Sequence, residues 1–199
     1  MKSINKRTLV LTSVVILLPM FLGLALWNKL PEEVPTHFDF SGLPLFILAC
    51  HLFSAVVTCA DPKKQNISEK LMNIVLWICP VVSLYASAMV YSYALGYAIN
   101  AARAGTFLVG ILFVVVGNYL PKCRQSYTVG IKLPWTLDDE DNWYHTHRFA
   151  GCVWMILGLS ILVIGLLGSF PSVLLAAPIA AVVLPTVYSF LYAKRHGKA

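Results

Sequence analysis

Long apolar stretches separated by short polar ones dominate the pattern of this 199-residue chain. Six apolar stretches approach the ~20 residues a helix needs to cross the hydrocarbon core of a bilayer. They predict spans at about 8–27, 43–60, 71–95, 105–120, 149–168 and 172–192. Inside lipid the backbone must satisfy its own hydrogen bonds, so each stretch is expected to be helical. The third is long enough to tilt, and Pro80 predicts a kink in it. Only Ser169-Phe170-Pro171 separates the last two, which reads as a tight helical hairpin. The expected fold class is all-α: a polytopic membrane protein of six transmembrane helices, organised as a single membrane domain over 1–199. The first apolar run has the basic start of a signal peptide, but Trp27-Asn28-Lys29 is a poor small-residue cleavage site, so the run is expected to be retained.

Glycine spacing predicts which spans meet. Gly151, Gly158 and Gly165 recur every seven residues in the fifth span, and Gly110 and Gly117 do so in the fourth. Seven residues is about two helical turns, so each set lines one face. Small faces let membrane helices approach closely. The fourth and fifth spans are therefore expected to pack together, with the polar segment between them folded across their ends.

Composition agrees with the pattern. Apolar residues make up 58% and charged residues 12% of the chain, with a mean hydropathy of +0.74; a soluble domain has roughly twice that charged fraction. The net charge of +6 is mostly a matter of topology. Lys2, Lys6 and Arg7 precede the first span, Lys63, Lys64 and Lys70 follow the second, and Lys122, Arg124, Lys132 and Arg148 lie between the fourth and fifth. Lys194, Arg195 and Lys198 follow the sixth, whereas the opposite side has only Lys29 and Arg103. The positive-inside rule then predicts a multi-pass membrane protein with both termini cytoplasmic. The 28–42 loop, acidic through Glu32, Glu33 and Asp39, is expected outside. No basic patch stands free of a span, which argues against direct nucleic-acid binding. Five cysteines, an odd number without a CxxC pair and mostly within spans, do not predict a structural disulfide.

The polar stretch from Gly117 to Gly151 interrupts this economy. It carries a third of the chain's charged residues, two of its five tryptophans and two of its five histidines. Its non-spanning part, 121–148, is expected to be an interfacial cytoplasmic segment. Pro134-Trp135 breaks the preceding structure, and Thr136 suits a helix N-cap with Asp139 three residues on, as in a capping box. Asp138, Asp139 and Glu140 would sit at the favourable end of the helix dipole. That helix is expected to run from about Leu137 through Trp143 and His147 into the fifth span, with Trp135 and Trp143 at headgroup level. His145 and His147 are a poor metal pair, because helical positions two apart point about 200° away from each other; no metal or cofactor is expected. Arg148 can grip a lipid phosphate or a carboxylate with its planar fork, or simply snorkel to the headgroups. His51 lies near the middle of the second span. An ionisable residue at that depth is a functional candidate, with the alternative of a neutral ring hydrogen-bonded to a neighbouring helix.

These strings carry a resemblance. Gly117-Asn118-Tyr119-Leu120-Pro121-Lys122, then Val129-Gly130-Ile131-Lys132-Leu133-Pro134-Trp135-Thr136-Leu137, then Trp143 and Thr146-His147-Arg148-Phe149-Ala150-Gly151, resemble the signature of the SdpI-like bacterial immunity protein family, integral membrane proteins of the SdpI/YfhL type. Upstream, Leu30-Pro31-Glu32-Glu33-Val34-Pro35-Thr36-His37-Phe38 with Gly42 and Pro44 resembles the extracytoplasmic motif that often precedes it. Ser126 stands where members often carry Asn, and Lys132-Leu133 where they often carry Arg-Thr. The resemblance implies a protein of the bacterial plasma membrane that protects its cell from a secreted killing peptide, with some members also capturing a cytoplasmic transcriptional repressor at the membrane. It points to His37 and Asp39 on the toxin side. On the inner side it points to Trp135, Trp143, His147 and Arg148, facing a cytoplasmic partner or lipid headgroups.

Two other readings compete. An intramembrane enzyme lacks support: there is no HExxH, GxSxG, Walker loop or pair of aspartates within spans, and His51 alone is no catalytic set. A small transporter or channel is physically possible with six spans, yet the spans hold almost no charge and show no paired broken helices. Substrate-dependent flux in proteoliposomes separates it from immunity.

Overall fold

The computed structural model describes residues 4–26, 28, 42–168 and 171–197. Among them the chain is all-helical: α1 (Lys6–Ala25), α2 (Gly42–Ala60), α3 (Glu69–Ala94), α4 (Ala101–Tyr119), α5 (Pro134–Asp138), α6 (Glu140–Leu167) and α7 (Pro171–Arg195). Short 3-10 turns cover Lys64–Asn66 and Leu120–Lys122. Six helices, all but α5, are long and apolar enough to cross a membrane. This is a polytopic membrane protein, as the hydropathy pattern requires. Helix α3 runs through Pro80 without interruption. The expected hairpin residues Ser169 and Phe170 lie outside the described residues, as does the 29–41 stretch with His37 and Asp39.

The surface is inverted relative to a soluble protein. Large apolar side chains face outward, with Phe53 71% and Leu167 78% exposed, while Thr12, Ser83, Thr146 and Ser189 are fully buried. Lipid solvates leucine as well as a protein core does, so close packing and hydrogen bonds, rather than apolar burial, decide which face turns inward.

The chain folds as two compact units, Met1–Ala60 with Ser68–Ala101, and Asp61–Ile67 with Ala102–Ala199. In the first, α1, α2 and α3 pack on one another. Ile4, Ala55 and Leu76 form a small core, with Leu9 and Met72 against it. Polar contacts cross between helices: Ser83 Oγ donates to Ile16 O at 2.9 Å and Tyr91 Oη to Pro19 O at 2.6 Å.

In the second unit, α6 is the central element. It meets α4 along the two glycine series. A Cβ on Gly158 would stand 2.8 Å from Val114 N and 2.9 Å from Gly110 O; one on Gly117 would stand 2.8 Å from Met155 N and 3.0 Å from Gly151 O. The seven-residue glycine spacing therefore marks the α4–α6 contact, as expected. Stacking of Phe113 on Trp154, centroids 4.8 Å apart, adds to it. Helix α6 also packs on α7, through a Trp154 Nε1 hydrogen bond to Ala181 O at 2.9 Å and Phe149 stacked on Tyr188 at 4.4 Å; Ala177, Ala181 and Ala193 of α7 are buried. At the far end of α6, Arg103 donates to Gly165 O and Leu166 O, both at 3.1 Å, and so supplies two carbonyls that a helix terminus leaves open.

Candidate functional site

Between the 3-10 turn at Leu120–Lys122 and the start of α6, the chain has little regular structure, only the five-residue α5. Its backbone groups cannot rely on a helix ladder, and buried ones must find partners elsewhere. Side chains provide them. Asp61, 3% exposed, is the first. Its Oδ1 accepts from Lys63 N at 2.7 Å, and its Oδ2 accepts from Tyr127 N at 2.9 Å and Thr128 Oγ1 at 2.7 Å. Gln125 is the second. Its Nε2 donates to Thr136 O at 2.9 Å and Leu137 O at 2.7 Å, its Oε1 accepts from Lys63 Nζ, and its carbonyl accepts from Asn66 Nδ2 at 2.8 Å. Ser126 Oγ closes a local turn on Val129, accepting from its N–H at 3.1 Å and donating to its carbonyl at 2.8 Å.

His147 and Trp143 hold the middle of the segment. His147 Nε2 accepts from Ile131 N at 2.9 Å, and its Nδ1 lies 2.7 Å from Trp143 O. A carbonyl only accepts and a backbone N–H only donates, so the ring is the neutral tautomer with its proton on Nδ1. Trp143 stacks on the same ring, centroids 4.0 Å apart, and its Nε1 donates to Cys123 O at 2.9 Å. Gly130 lies against both. It has φ +121°, and a Cβ there would stand 2.5 Å from His147 Nε2 and 2.7 Å from the Trp143 ring. Only glycine fits both the backbone angle and the space.

A second knot joins the segment to α7. Asn142 Oδ1 accepts from Thr146 Oγ1 and Ser189 Oγ, each at 2.8 Å, while its Nδ2 donates to Ser189 O at 3.1 Å. Half-buried Trp135 donates from Nε1 to Ser189 Oγ at 2.9 Å and meets Phe190 edge-on. Asn142, Thr146 and Ser189 are fully buried, so each unmade bond here would carry a full desolvation cost.

Two expectations about this segment are corrected. Thr136 is not an N-cap. It lies within α5, where its hydroxyl accepts from Leu133 N at 2.9 Å and has Ile131 O and Leu133 O within 3.0 Å. The chain turns extended at Asp139 (φ −129°, ψ 112°), and Asp139 itself caps α6 by accepting from Asp141 N. The acidic run is therefore split: Asp138 ends α5, while Glu140 and Asp141 form the first turn of α6. Trp143 is likewise not a headgroup-facing anchor. It is 2% exposed and enclosed by protein, because its indole N–H is needed by a carbonyl of the irregular chain.

Of the residues singled out from sequence, Trp135, Trp143 and His147 share this lattice. Arg148 is turned away and exposed, its Nη1 donating to Tyr144 Oη at 2.8 Å with the guanidinium over the Tyr144 ring. His145 and His147 diverge as a two-residue helical spacing requires: His145 is exposed and stacks on Tyr192. His51 lies in the first unit, 1% exposed, with Nε2 3.0 Å from Thr12 Oγ1 of α1; the geometry is that of a histidine hydrogen-bonded to a neighbouring helix. Cys123 is buried with its thiol 3.4 Å from Tyr119 O, and burial pushes its pKa up to about 11.

Sequence reading missed Asp61, Gln125, Asn142 and Ser189. Asn142 and Ser189 lie 47 positions apart, and Asp61 and Thr128 lie 67 apart. A buried-polar role for Ser189 had one available signal, its place in a largely apolar helix.

Fold and site together define a polytopic helical membrane protein with one elaborate segment outside its spans, locked by buried polar side chains. Residues 122–189 match the SdpI/YfhL protein family, and residues 14–44 match a second family described as a domain of unknown function (DUF1648). Among curated proteins, Immunity protein SdpI of Bacillus subtilis (strain 168) is 24% identical over 205 residues, which cover 94% of this chain and 96% of that relative. The resemblance to the SdpI/YfhL family is thereby borne out. No solved structure gives a significant match.

Proposed function

We propose that this chain is an immunity protein of the bacterial plasma membrane, protecting the cell that carries it against a secreted, membrane-active killing peptide. One observation carries the reading: the similarity to a relative named an immunity protein runs along nearly the whole of both chains. The distribution of lysine and arginine supports the orientation, with both termini and the signature segment cytoplasmic and the 28–42 loop outside. In this arrangement His37 and Asp39 meet the toxin. The signature segment presents a shaped surface to the cytoplasm, where a transcriptional repressor docks in a signalling extension of the same role. Trp135, Trp143 and His147 act there by fixing the shape of that surface. Arg148, exposed and braced by Tyr144, is the side chain available for contact.

The test is survival. A sensitive bacterium expressing the intact chain, challenged with a killing peptide of this class, is expected to outgrow the empty-vector control. At matched membrane levels, His37→Ala is expected to lose protection. Arg148→Ala is expected to keep the fold and to lose repressor capture in a membrane pull-down. Equal sensitivity with and without the intact, well-expressed chain would overturn the immunity reading.

A further inference from the structure

A pocket of about 520 Å³ opens beside the signature segment, and its lining includes Asn66, Lys122, Arg124, Glu140, Trp143 and Tyr144. Its polar groups fall into two kinds. Some are already committed to the lattice: the Asn66 amide donates to Gln125 O, and Trp143 Nε1 to Cys123 O. Others are not. Among the described residues the Arg124 guanidinium and the Glu140 carboxylate make no hydrogen bond or ion pair, and both are exposed. The Lys122 ammonium stands 4.7 Å over the Tyr119 ring, a contact that leaves its N–H donors available. Two cations and one carboxylate, none of them hydrogen-bonded among the described residues, therefore share one concavity with aromatic walls.

The pocket's place narrows what fills it. The apolar stretch of α4 and its trailing turn end at Lys122, so Lys122 and Arg124 mark the level at which the chain leaves lipid. Lipid phosphates lie at that level. A planar guanidinium matches two phosphate oxygens with parallel N–H donors, and an ammonium beside it adds a compact charge. Glu140 would repel a ligand that was anionic only, but suits one that also carries an amine.

We propose that this pocket binds the phosphate of a phospholipid headgroup through Lys122 and Arg124, with Glu140 receiving the ammonium of an amine-bearing headgroup. The site is independent of toxin protection. It makes the signature segment a sensor of the leaflet it faces, because a bound headgroup ties Lys122, at the end of the 3-10 turn after α4, to Glu140 at the start of α6.

The experiment uses the full chain in detergent, titrated with short-chain phosphatidylethanolamine or phosphatidylglycerol and read by native mass spectrometry. One phosphatidylethanolamine per chain is expected to saturate. The double variant Lys122→Gln/Arg124→Gln is expected to weaken that binding about tenfold or more, and Arg124→Lys to weaken it less than Arg124→Gln. Glu140→Gln is expected to erase the preference for the amine-bearing lipid. Lys194→Gln, in the last turn of α7, is expected to leave binding unchanged, and thermal melting of each variant confirms that it is folded. An unchanged lipid adduct in the folded double variant overturns the site. Displacement by inorganic phosphate at concentrations equal to the lipid overturns the lipid assignment in favour of a soluble phosphate ligand. Equal affinity for both lipids overturns the role of Glu140.

Discussion

The three-helix unit and the signature segment solve the same problem, burying polar groups, in opposite ways. In α1–α3 the backbone is already satisfied by helix, and polar side chains make single contacts from one helix to another. His51 with Thr12, Ser83 with Ile16 O and Tyr91 with Pro19 O are separate stitches. In the signature segment the backbone between Cys123 and Leu133 is not helical, and side chains there do the work that a ladder would otherwise do. Asp61 serves three donors and Gln125 two carbonyls, while Asn142, Thr146, Ser189 and Trp135 form one connected knot. Isolated stitches can be lost one at a time. A connected lattice loses more than one bond when any member goes, because the partners left behind stay buried.

The comparison can be broken most directly at Gly130. Gly130→Val combines a strained positive φ with a Cβ in contact distance of His147 and Trp143, and should cost on the order of 3 kcal/mol or more. Membrane yield and melting temperature should both fall, whereas Gly105→Ala, which meets nothing within 4 Å, should leave both unchanged. A well-folded Gly130→Val would mean that the segment is not locked. Next in size is Asp61→Asn. The amide keeps one acceptor oxygen, so it cannot serve the Lys63 N–H at Oδ1 and the two donors at Oδ2 together, and its NH2 faces whichever donors are left; a loss of about 2–3 kcal/mol is expected, read as the same melting shift in two independent preparations.

His51→Leu should cost much less, about 1 kcal/mol or under. The Thr12 hydroxyl left behind still has Thr8 O at 2.9 Å and Leu9 O at 3.0 Å to donate to. A loss as large as that of Asp61→Asn would put the two regions on the same footing. The smallest effect is a chemical one at Cys123. With its pKa near 11, fewer than about one thiol in a thousand is ionised at pH 7.5, and the thiolate is the reactive form. In a variant retaining only Cys123, maleimide labelling should be slow in the folded protein, rise as pH climbs toward 11, and become fast on denaturation. Rapid labelling of folded protein at neutral pH would show the segment opening.

What could be read from the chain beforehand follows from the same contrast. The spans were legible because lipid imposes one requirement on every residue in a row. The α4–α6 contact was legible because Gly110, Gly117, Gly151, Gly158 and Gly165 repeat at the helix's own period. The neutral, hydrogen-bonded alternative for His51 followed from the cost of charge at that depth. The signature segment offered no such periodicity. Its motif residues stood out, but Trp143 looked like an anchor and Thr136 like a cap, because local spacing cannot reveal that a carbonyl twenty residues away needs the indole. Asp61 was invisible for the same reason: nothing around it distinguishes a loop aspartate in solvent from one that closes a lattice.

The position of Asp61 has a consequence for anyone who divides this protein. The seven residues Asp61–Ile67 fold with Ala102–Ala199, although the chain on either side of them, through Ala60 and from Ser68, belongs to the other unit. The polypeptide therefore changes allegiance three times rather than once. A fragment cut at residue 102 would contain the whole of the 122–189 family match and still lack the carboxylate that Tyr127 and Thr128 depend on. The stretch marked by sequence similarity and the compact unit of the fold do not coincide, and the seven residues Asp61–Ile67 are the part of that unit that a cut at residue 102 would leave behind.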